Sequence, residues 1–339
     1  MDEPIEVIIT LAFTDELIKQ ISEVSPRLAV EKIVARKVED ISEEAWRRVQ
    51  VLYTNRVLPS PEQAPNLRWI QFHWAGVDHA LNEPILQREG LSITHMSGAS
   101  ASQMAEHAVM MMLALGHHVP EVFAHQKRSD WPSGRWELFS PQELRGSTVG
   151  IVGYGSIGRQ IARILQTFGA TVLATKRDIL HPEDSGYVID GLGDLGGDLV
   201  NRLYPPQALQ SMLKECDFVV VSLPRTKATR GMLGEKELSV LKPSAYLVDI
   251  SRGEIVDHSV LIPLLREHKI AGAALDVFPA EPLQADSPLW KLPNVIISPH
   301  IAGFSPHYDE RAAALFVQNL KRYLEELPLY NRLDLSLEY

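Results

Sequence analysis

Cysteine occurs once in 339 residues, at Cys216. A single thiol cannot build an intrachain disulfide framework or a thiolate metal cluster. It lies in KECDFVVV, just before an apolar run, and reads as an inert core thiol. Basic residues are also in deficit: 33 Lys and Arg against 43 Asp and Glu leave a formal net charge of −10. A general nucleic-acid binder needs a basic footprint, so that class is set aside, although local basic pockets for small anions remain compatible with the total. No apolar run reaches the roughly 18 residues of a membrane span. The opening, MDEPIEVIITLAF, has neither the basic flank nor the small-residue cleavage site of a signal peptide, so a cytoplasmic location is expected. No metal is expected either. His117 and His118 fall at a helix end, where cations suit the helix dipole, and are read as structural.

What the chain has is a regular alternation. Short runs rich in Val, Ile and Leu at 148–152, 171–174, 218–223, 246–250, 272–277 and 295–298 are separated by helix-like stretches. That grammar belongs to βαβ units and an α/β, doubly wound parallel sheet, and six strands are what a dinucleotide-binding sheet requires. Runs at 5–10, 29–34, 51–53, 69–72 and 92–95 repeat the grammar more weakly and predict a second, smaller α/β domain. A last helix is predicted over about 307–327, packing back on the first domain. Gly and Pro interrupt the pattern at 116–120 and 302–306, two candidate hinges. Between 177 and 205 runs a long Gly- and Asp-rich stretch, read as a surface elaboration.

GIVGYGSIGRQIARIL, 150–165, places Gly153, Gly155 and Gly158 directly after a strand and at the start of a helix. Gly153 permits a tight turn, Gly155 lets backbone approach a pyrophosphate, and Gly158 lets helix pack on strand. Free N–H groups near Ser156 and Ile157 then meet the anion. Where the second strand ends, an NAD-binding chain commonly carries Asp or Glu for the ribose hydroxyls. VLATKRD instead puts Thr175, Lys176 and Arg177 there. A cationic pair attracts the extra phosphate of NADP, so NADP is expected in preference to NAD.

Ligands of open parallel sheets bind outside the carboxyl ends of the strands. The fourth strand of the central set ends in Arg252, the fifth in Asp276 followed by Glu281, the sixth in His300. An arginine can hold a carboxylate bidentately, a histidine titrates in the range useful for proton transfer, and a carboxylate on its far nitrogen favours and orients the charged ring. Together these suit the interconversion of a 2-keto and a 2-hydroxy acid. Singly, each residue has a bland reading as surface charge or structural histidine.

SRG at 251–253, LDVFPAEP at 275–282 and SPHIAG at 298–303 resemble the D-isomer-specific 2-hydroxyacid dehydrogenase family, over essentially the whole chain. The resemblance implies a Rossmann NAD(P)-binding domain at 101–304 and a discontinuous, flavodoxin-like substrate domain at 1–100 plus 305–339. It implies Arg252, Glu281 and His300 as the catalytic trio, with Asp276 on the nicotinamide carboxamide. Leu223, Pro224, Ile250, Met104 and Gly303 complete the expected cofactor contacts. WAGVDH at 74–79 resembles the substrate loop, whose N–H groups at Gly76 and Val77 meet the carboxylate; His73 and Trp74 are larger than the pattern there. Phe304 departs from the family's Gly-Gly-x-Thr and is expected to narrow the pocket. Glu106 and His107 are read as structural hydrogen-bonders. The family implies a homodimer through an arm at 120–147, in which Trp131 and Trp136 are expected to pack in core or interface.

A dinucleotide-sensing corepressor on the same scaffold is the alternative, since fold alone does not establish catalysis. Such a sensor need not keep the trio together. A methyltransferase has no use for the trio, and a short-chain dehydrogenase needs a Tyr-x-x-x-Lys base that the sequence lacks. Glyoxylate, hydroxypyruvate, other 2-keto acids and 3-phosphoglycerate stay open as substrates.

Overall fold

A computed structural model describes residues 4–339; the first three residues of the acidic opening lie outside the described residues. The chain divides into two compact units, one running up to Ser100 and resuming over Ser305–Tyr339, the other Ala101–Phe304. Of the two hinge candidates, 302–306 contains a division point. The other, 116–120, lies well inside the second unit. There the chain only passes between two helices, and Gly116 is needed because a Cβ would meet the Gln142 carbonyl oxygen at 2.5 Å.

The first unit opens with β1 (Ile5–Ile9), α1 (Asp15–Ser22), β2 (Leu28–Lys32), α2 (Glu43–Arg48), β3 (Val51–Thr54), β4 (Trp69–Phe72) and β5 (Ser92–Thr94). The strands form one parallel sheet in the order β2-β1-β3-β4-β5. The inner strands β1, β3 and β4 are apolar and buried on both faces, as a parallel sheet requires, whereas the edge strand β2 is partly exposed. Thr14 and Ser42 accept from the N–H groups of Leu17 and Ala45 and so start α1 and α2.

The second unit contains α3 (Ala101–Gly116), α4 (Val119–Lys127), α5 (Arg135–Leu138), β6 (Thr148–Val152), α6 (Ser156–Phe168), β7 (Thr171–Thr175), β8 (Arg202–Tyr204), α7 (Leu209–Leu213), β9 (Phe218–Val221), α8 (Glu235–Leu238), β10 (Tyr246–Asp249), α9 (His258–Arg266), β11 (Gly272–Leu275) and β12 (Val295–Ile297). Its sheet is parallel, in the order β12-β11-β10-β9-β6-β7-β8. Seven strands stand where the sequence predicts six. The extra one, β8, pairs with β7 at the sheet edge; only three residues long and partly exposed, it carries too little apolar signal to be read. The strands run outward from β6 through β7 to β8 on one side and from β9 through β10 and β11 to β12 on the other, so the carboxyl ends of β6 and β9 form the switch point of the sheet. Cys216 is buried beneath it, donates to the Met212 carbonyl, and burial pushes its pKa up to about 12.

After the second unit the chain returns to the first with α10 (Tyr308–Leu324). Its buried face includes Phe316, whose ring packs on Tyr53 and Trp69 at centroid separations of 4.8 and 5.3 Å. Asn319, fully buried, reaches Gln71 and the Tyr330 carbonyl, so the helix and the tail after it are tied to the strand edge by satisfied polar groups.

Candidate active site

The switch point is occupied by the glycine turn. Gly153 has φ +108, in the region that favours glycine, and a Cβ there would strike Leu223 at 2.8 Å. A Cβ on Gly158 would meet the Gly153 carbonyl oxygen at 2.3 Å, so this glycine is required by the packing of α6 on β6. Gly155 differs: nothing lies within 4 Å of its would-be Cβ, and it caps α6 without any side-chain acceptor. The first N–H groups of α6, at Ser156 and Ile157, stand at the positive end of a helix dipole behind this uncrowded glycine, an arrangement that suits a pyrophosphate. Thr175 supports the turn: its hydroxyl accepts from Gly153 N–H at 3.0 Å. The Ser222 hydroxyl donates to the Gly153 carbonyl from the other side. Leu223 and Pro224 follow on that same rim, the latter exposed.

At the end of β7 the geometry departs from the sequence reading. Lys176 turns its ammonium onto the carbonyls of His181 and Glu183, within the 177–205 stretch, not outward. Arg177 is exposed beside it. Nor is the stretch a loose surface elaboration. Arg159, 2% exposed, donates to the Asp194 carbonyl at 2.6 Å and the Pro182 carbonyl at 2.5 Å, and lies over the Tyr154 ring. Tyr154 hydroxyl donates to the Asp194 carboxylate, which in turn accepts from the N–H groups of Gly197, Asp198 and Leu199. Gln160 and Arg163 add bonds to Gly193. One face of α6 thus bolts the insertion beside the nucleotide turn. A helix bearing RQIAR was the available signal, because two arginines on a helix next to a phosphate turn need partners.

The three candidate catalytic residues all lie in the second unit, and the structure brings two of them, His300 and Glu281, into contact. His300 Nδ1 and Glu281 Oε2 are 2.7 Å apart, both side chains being partly exposed. The other oxygen of Glu281 accepts from Phe278 N–H at 3.0 Å, which fixes the carboxylate. His300 itself has φ 54, a left-handed backbone just past the end of β12. Arg252 is half-buried after β10, one guanidinium nitrogen on the Ser251 carbonyl at 2.8 Å. Gly253 is obligatory, since a Cβ would overlap the backbone of Phe278 at 1.9 Å. The SRG and LDVFP segments are in this way locked together.

Asp276, 2% exposed, accepts from Ser298 Oγ at 2.5 Å and from the N–H groups of Ile301 and Ala302, each at 2.9 Å. It holds the loop that carries His300, a role the sequence reading, which sent it to a carboxamide, did not include. His107 Nε2 lies 3.4 Å from Ser298 Oγ and 4.0 Å from Asp276, in keeping with a structural part. Gln103 Nε2 donates to the Gly303 carbonyl, and Met104 is the nearest group to the open face of Gly303. Ile250 is buried, and Phe304 is 77% exposed. Asp249, missed from sequence, is fully buried two residues before Ser251; burial raises its pKa to about 7 despite bonds from the Ser251 N–H and hydroxyl. A lone Asp inside YLVDIS was the clue.

In the first unit, Gly76 and Val77 follow β4; Val77 is buried and its carbonyl accepts from Ala80. The preceding His73 bonds the Tyr53 hydroxyl at 2.9 Å, and the Trp74 ring packs tilted on Tyr308 with centroids 4.7 Å apart. Burial lowers the His73 pKa to about 4, so this ring is neutral. In the arm, Trp131 and Trp136 are 82% and 74% exposed and take no part in a core of this chain. Among the described residues no group of three or more His, Cys, Asp or Glu is placed to hold a metal ion.

A parallel α/β unit with a phosphate-binding turn at its switch point, and a His–Glu pair and an arginine on the same unit, defines a nicotinamide-dependent oxidoreductase scaffold. Residues 109–302 match the family model for the D-isomer specific 2-hydroxyacid dehydrogenase NAD binding domain. The chain is 34% identical over 272 residues to a glyoxylate reductase of Thermococcus litoralis, covering 79% of this chain and 77% of that one. The D-isomer specific 2-hydroxyacid dehydrogenase of Xanthobacter autotrophicus, solved with NADPH and MES, superposes with a TM-score of 0.79 at 26% identity over the full length of both chains. An NADPH-dependent glyoxylate/hydroxypyruvate reductase of Sinorhizobium meliloti, solved with NADP and sulfate, gives 0.76 at 26%, covering 99% of this chain and 100% of that one. The protein belongs to the D-isomer specific 2-hydroxyacid dehydrogenase family.

Proposed function

We propose that the chain is a cytoplasmic, NADPH-preferring reductase of a small 2-keto acid of the glyoxylate or hydroxypyruvate kind, working as a homodimer. The observation that carries the reading is the 2.7 Å pair of His300 and Glu281 on the unit that bears the nucleotide turn. The bound nicotinamide supplies the hydride. Arg252 holds the substrate carboxylate and so aligns the carbonyl. His300 gives its proton to the carbonyl oxygen as that oxygen gains charge, and Glu281, anchored on Phe278, keeps the ring in place. In the reverse direction His300 takes the proton from the 2-hydroxyl.

Glyoxylate is favoured over 3-phosphoglycerate because the glyoxylate reductase of Thermococcus litoralis matches over most of both chains. The NADPH preference rests on Arg177 at the end of β7, on the lack of a carboxylate at positions 175–177, and on the NADP(H) held by the two structural relatives. Phe123, Trp131, Trp136 and Leu138, all exposed on the arm, support the homodimer. A panel of glyoxylate, hydroxypyruvate, pyruvate and 3-phosphohydroxypyruvate, each followed at the nicotinamide absorbance with NADPH and NADH, tests the reading. Equal kcat/KM for the two cofactors removes the preference. Turnover undiminished in His300→Ala removes the mechanism.

A further inference from the structure

The first unit has a cavity of about 700 Å³ at the end of its sheet opposite to the Gly76 loop. Its wall is made where strands begin: Arg27 precedes β2, Gln50 precedes β3, Arg68 precedes β4, and Ser92 opens β5. The end of α10 and the tail after it close the other side with Tyr323, Leu327 and Arg332. Ligand sites commonly enclose roughly 300–1,000 Å³, so the volume is that of a small-molecule site.

Its charge is the informative part. Three arginines line the cavity against one acid, Glu326, in a protein whose net charge is −10. Neither Arg68 nor Arg332 makes a side-chain ion pair among the described residues. Their backbones are fixed, however. Arg27 carbonyl accepts from Ile5 N–H at 2.7 Å, Arg68 donates to the Gln50 carbonyl at 2.8 Å and accepts from Ser92 N–H at 2.9 Å, and Arg332 bridges antiparallel to Thr94. Cations mounted on a rigid sheet edge lose less freedom when they engage a ligand. Adjacent strands lie about 4.8 Å apart, so the row from Arg27 to Ser92 extends over about 19 Å. Tyr323 supplies a flat apolar face, and Arg68 lies close enough to moderate the upward push that burial gives the Tyr323 pKa.

We infer that this cavity binds a small organic anion with two or more negative charges, a phosphate ester or a polycarboxylate, clamped by Arg68 and Arg332 with its apolar part on Tyr323. Guanidinium forks match both chemistries bidentately. The site is independent of the reaction assigned to His300.

The test uses the full chain, saturated with NADPH so that the glycine turn is filled, and isothermal titration with inorganic pyrophosphate and with citrate as the two probes. At about 0.15 M salt, where exposed charges are screened beyond about 8 Å, one probe at least is expected to bind at a single site. Its Kd weakens about tenfold or more in Arg68→Ala/Arg332→Ala, while Arg252→Ala binds it like the parent. Arg68→Lys/Arg332→Lys retains part of the affinity, and Arg332→Gln alone, at an exposed position, serves if the double alanine variant does not fold. The probe that binds names the chemistry. Absence of binding by both probes, unchanged binding in the Arg68/Arg332 variants, or loss of binding in Arg252→Ala overturns the inference.

Discussion

Glu281 faces both ways in this structure: one carboxylate oxygen meets His300 Nδ1 at 2.7 Å and the other accepts the Phe278 N–H at 3.0 Å. The second bond is what makes the first useful. A carboxylate pinned by its own turn can orient an imidazole that is itself partly exposed and would otherwise rotate. His300→Ala is expected to lower kcat by about 10²–10⁴, the usual range for a general acid. Glu281→Gln keeps a hydrogen-bond acceptor but loses the charge, so its kcat falls between the parent and His300→Ala, by about tenfold or more, with KM for the keto acid little changed. A Glu281→Gln enzyme with parental kcat would show that the charge plays no part.

The proposed NADPH preference turns on Arg177. Lys176 is turned onto the His181 and Glu183 carbonyls, so the exposed Arg177 is the residue proposed to meet a 2′-phosphate. Charge-assisted bonds are worth about 1.5–3 kcal/mol, so Arg177→Ala should raise KM for NADPH about ten- to a hundredfold and leave KM for NADH nearly unchanged. Steady-state kinetics with both cofactors measures this. Parallel changes in the two KM values would place the phosphate elsewhere.

Arg159 tests whether the insertion is a working wall or a passenger. Removing its guanidinium strands the Asp194 and Pro182 carbonyls and leaves Asp184 without its 3.4 Å partner in a buried setting. Each such orphaned group costs about 1–3 kcal/mol. Arg159→Met should therefore lower Tm and raise hydrogen exchange across 182–199, while amides of β9 and β10 keep their protection. If exchange rises evenly over the whole unit, the clamp is not local.

How much of this was legible beforehand depends on how each feature is encoded. The glycine turn, Arg252 and His300 follow closely on strand ends, and strand ends follow from apolar runs and their termination, so position along the chain was enough to place them; Glu281, six residues past β11, was singled out with the help of the LDVFPAEP resemblance. The Lys176 geometry was not legible, because its partners are carbonyls of an insertion whose path no periodicity sets. β8 escaped notice for the related reason that RLY is short and half-exposed on an edge. Asp276 was seen as a polar residue at a strand end, but its bonds to Ser298, Ile301 and Ala302 depend on a loop returning from β12, a long-range pairing that sequence spacing does not reveal.

Asp249 offers the sharpest prediction about pH. It is fully buried, one carboxylate oxygen accepts from Ser251, and the other has no partner. Burial is the main cause of its raised pKa, from 3.8 to about 7; Asp276 raises it further, while the Ser251 bonds and Arg252 oppose the rise. An acid whose folded pKa lies above its unfolded value binds more protons folded than unfolded between the two, so stability falls as pH rises through that window. The penalty is absent below about 4 and complete above about 7; the difference between 3.8 and 7 corresponds to on the order of 4 kcal/mol. Asp249→Asn carries no charge to bury. Relative to the parent it should therefore gain stability from pH 5 to pH 8, read as a growing difference in urea midpoints. Midpoints that move in parallel across that range would mean that Asp249 is ionised at the same pH folded and unfolded, and that the carboxylate is solvated within the sheet.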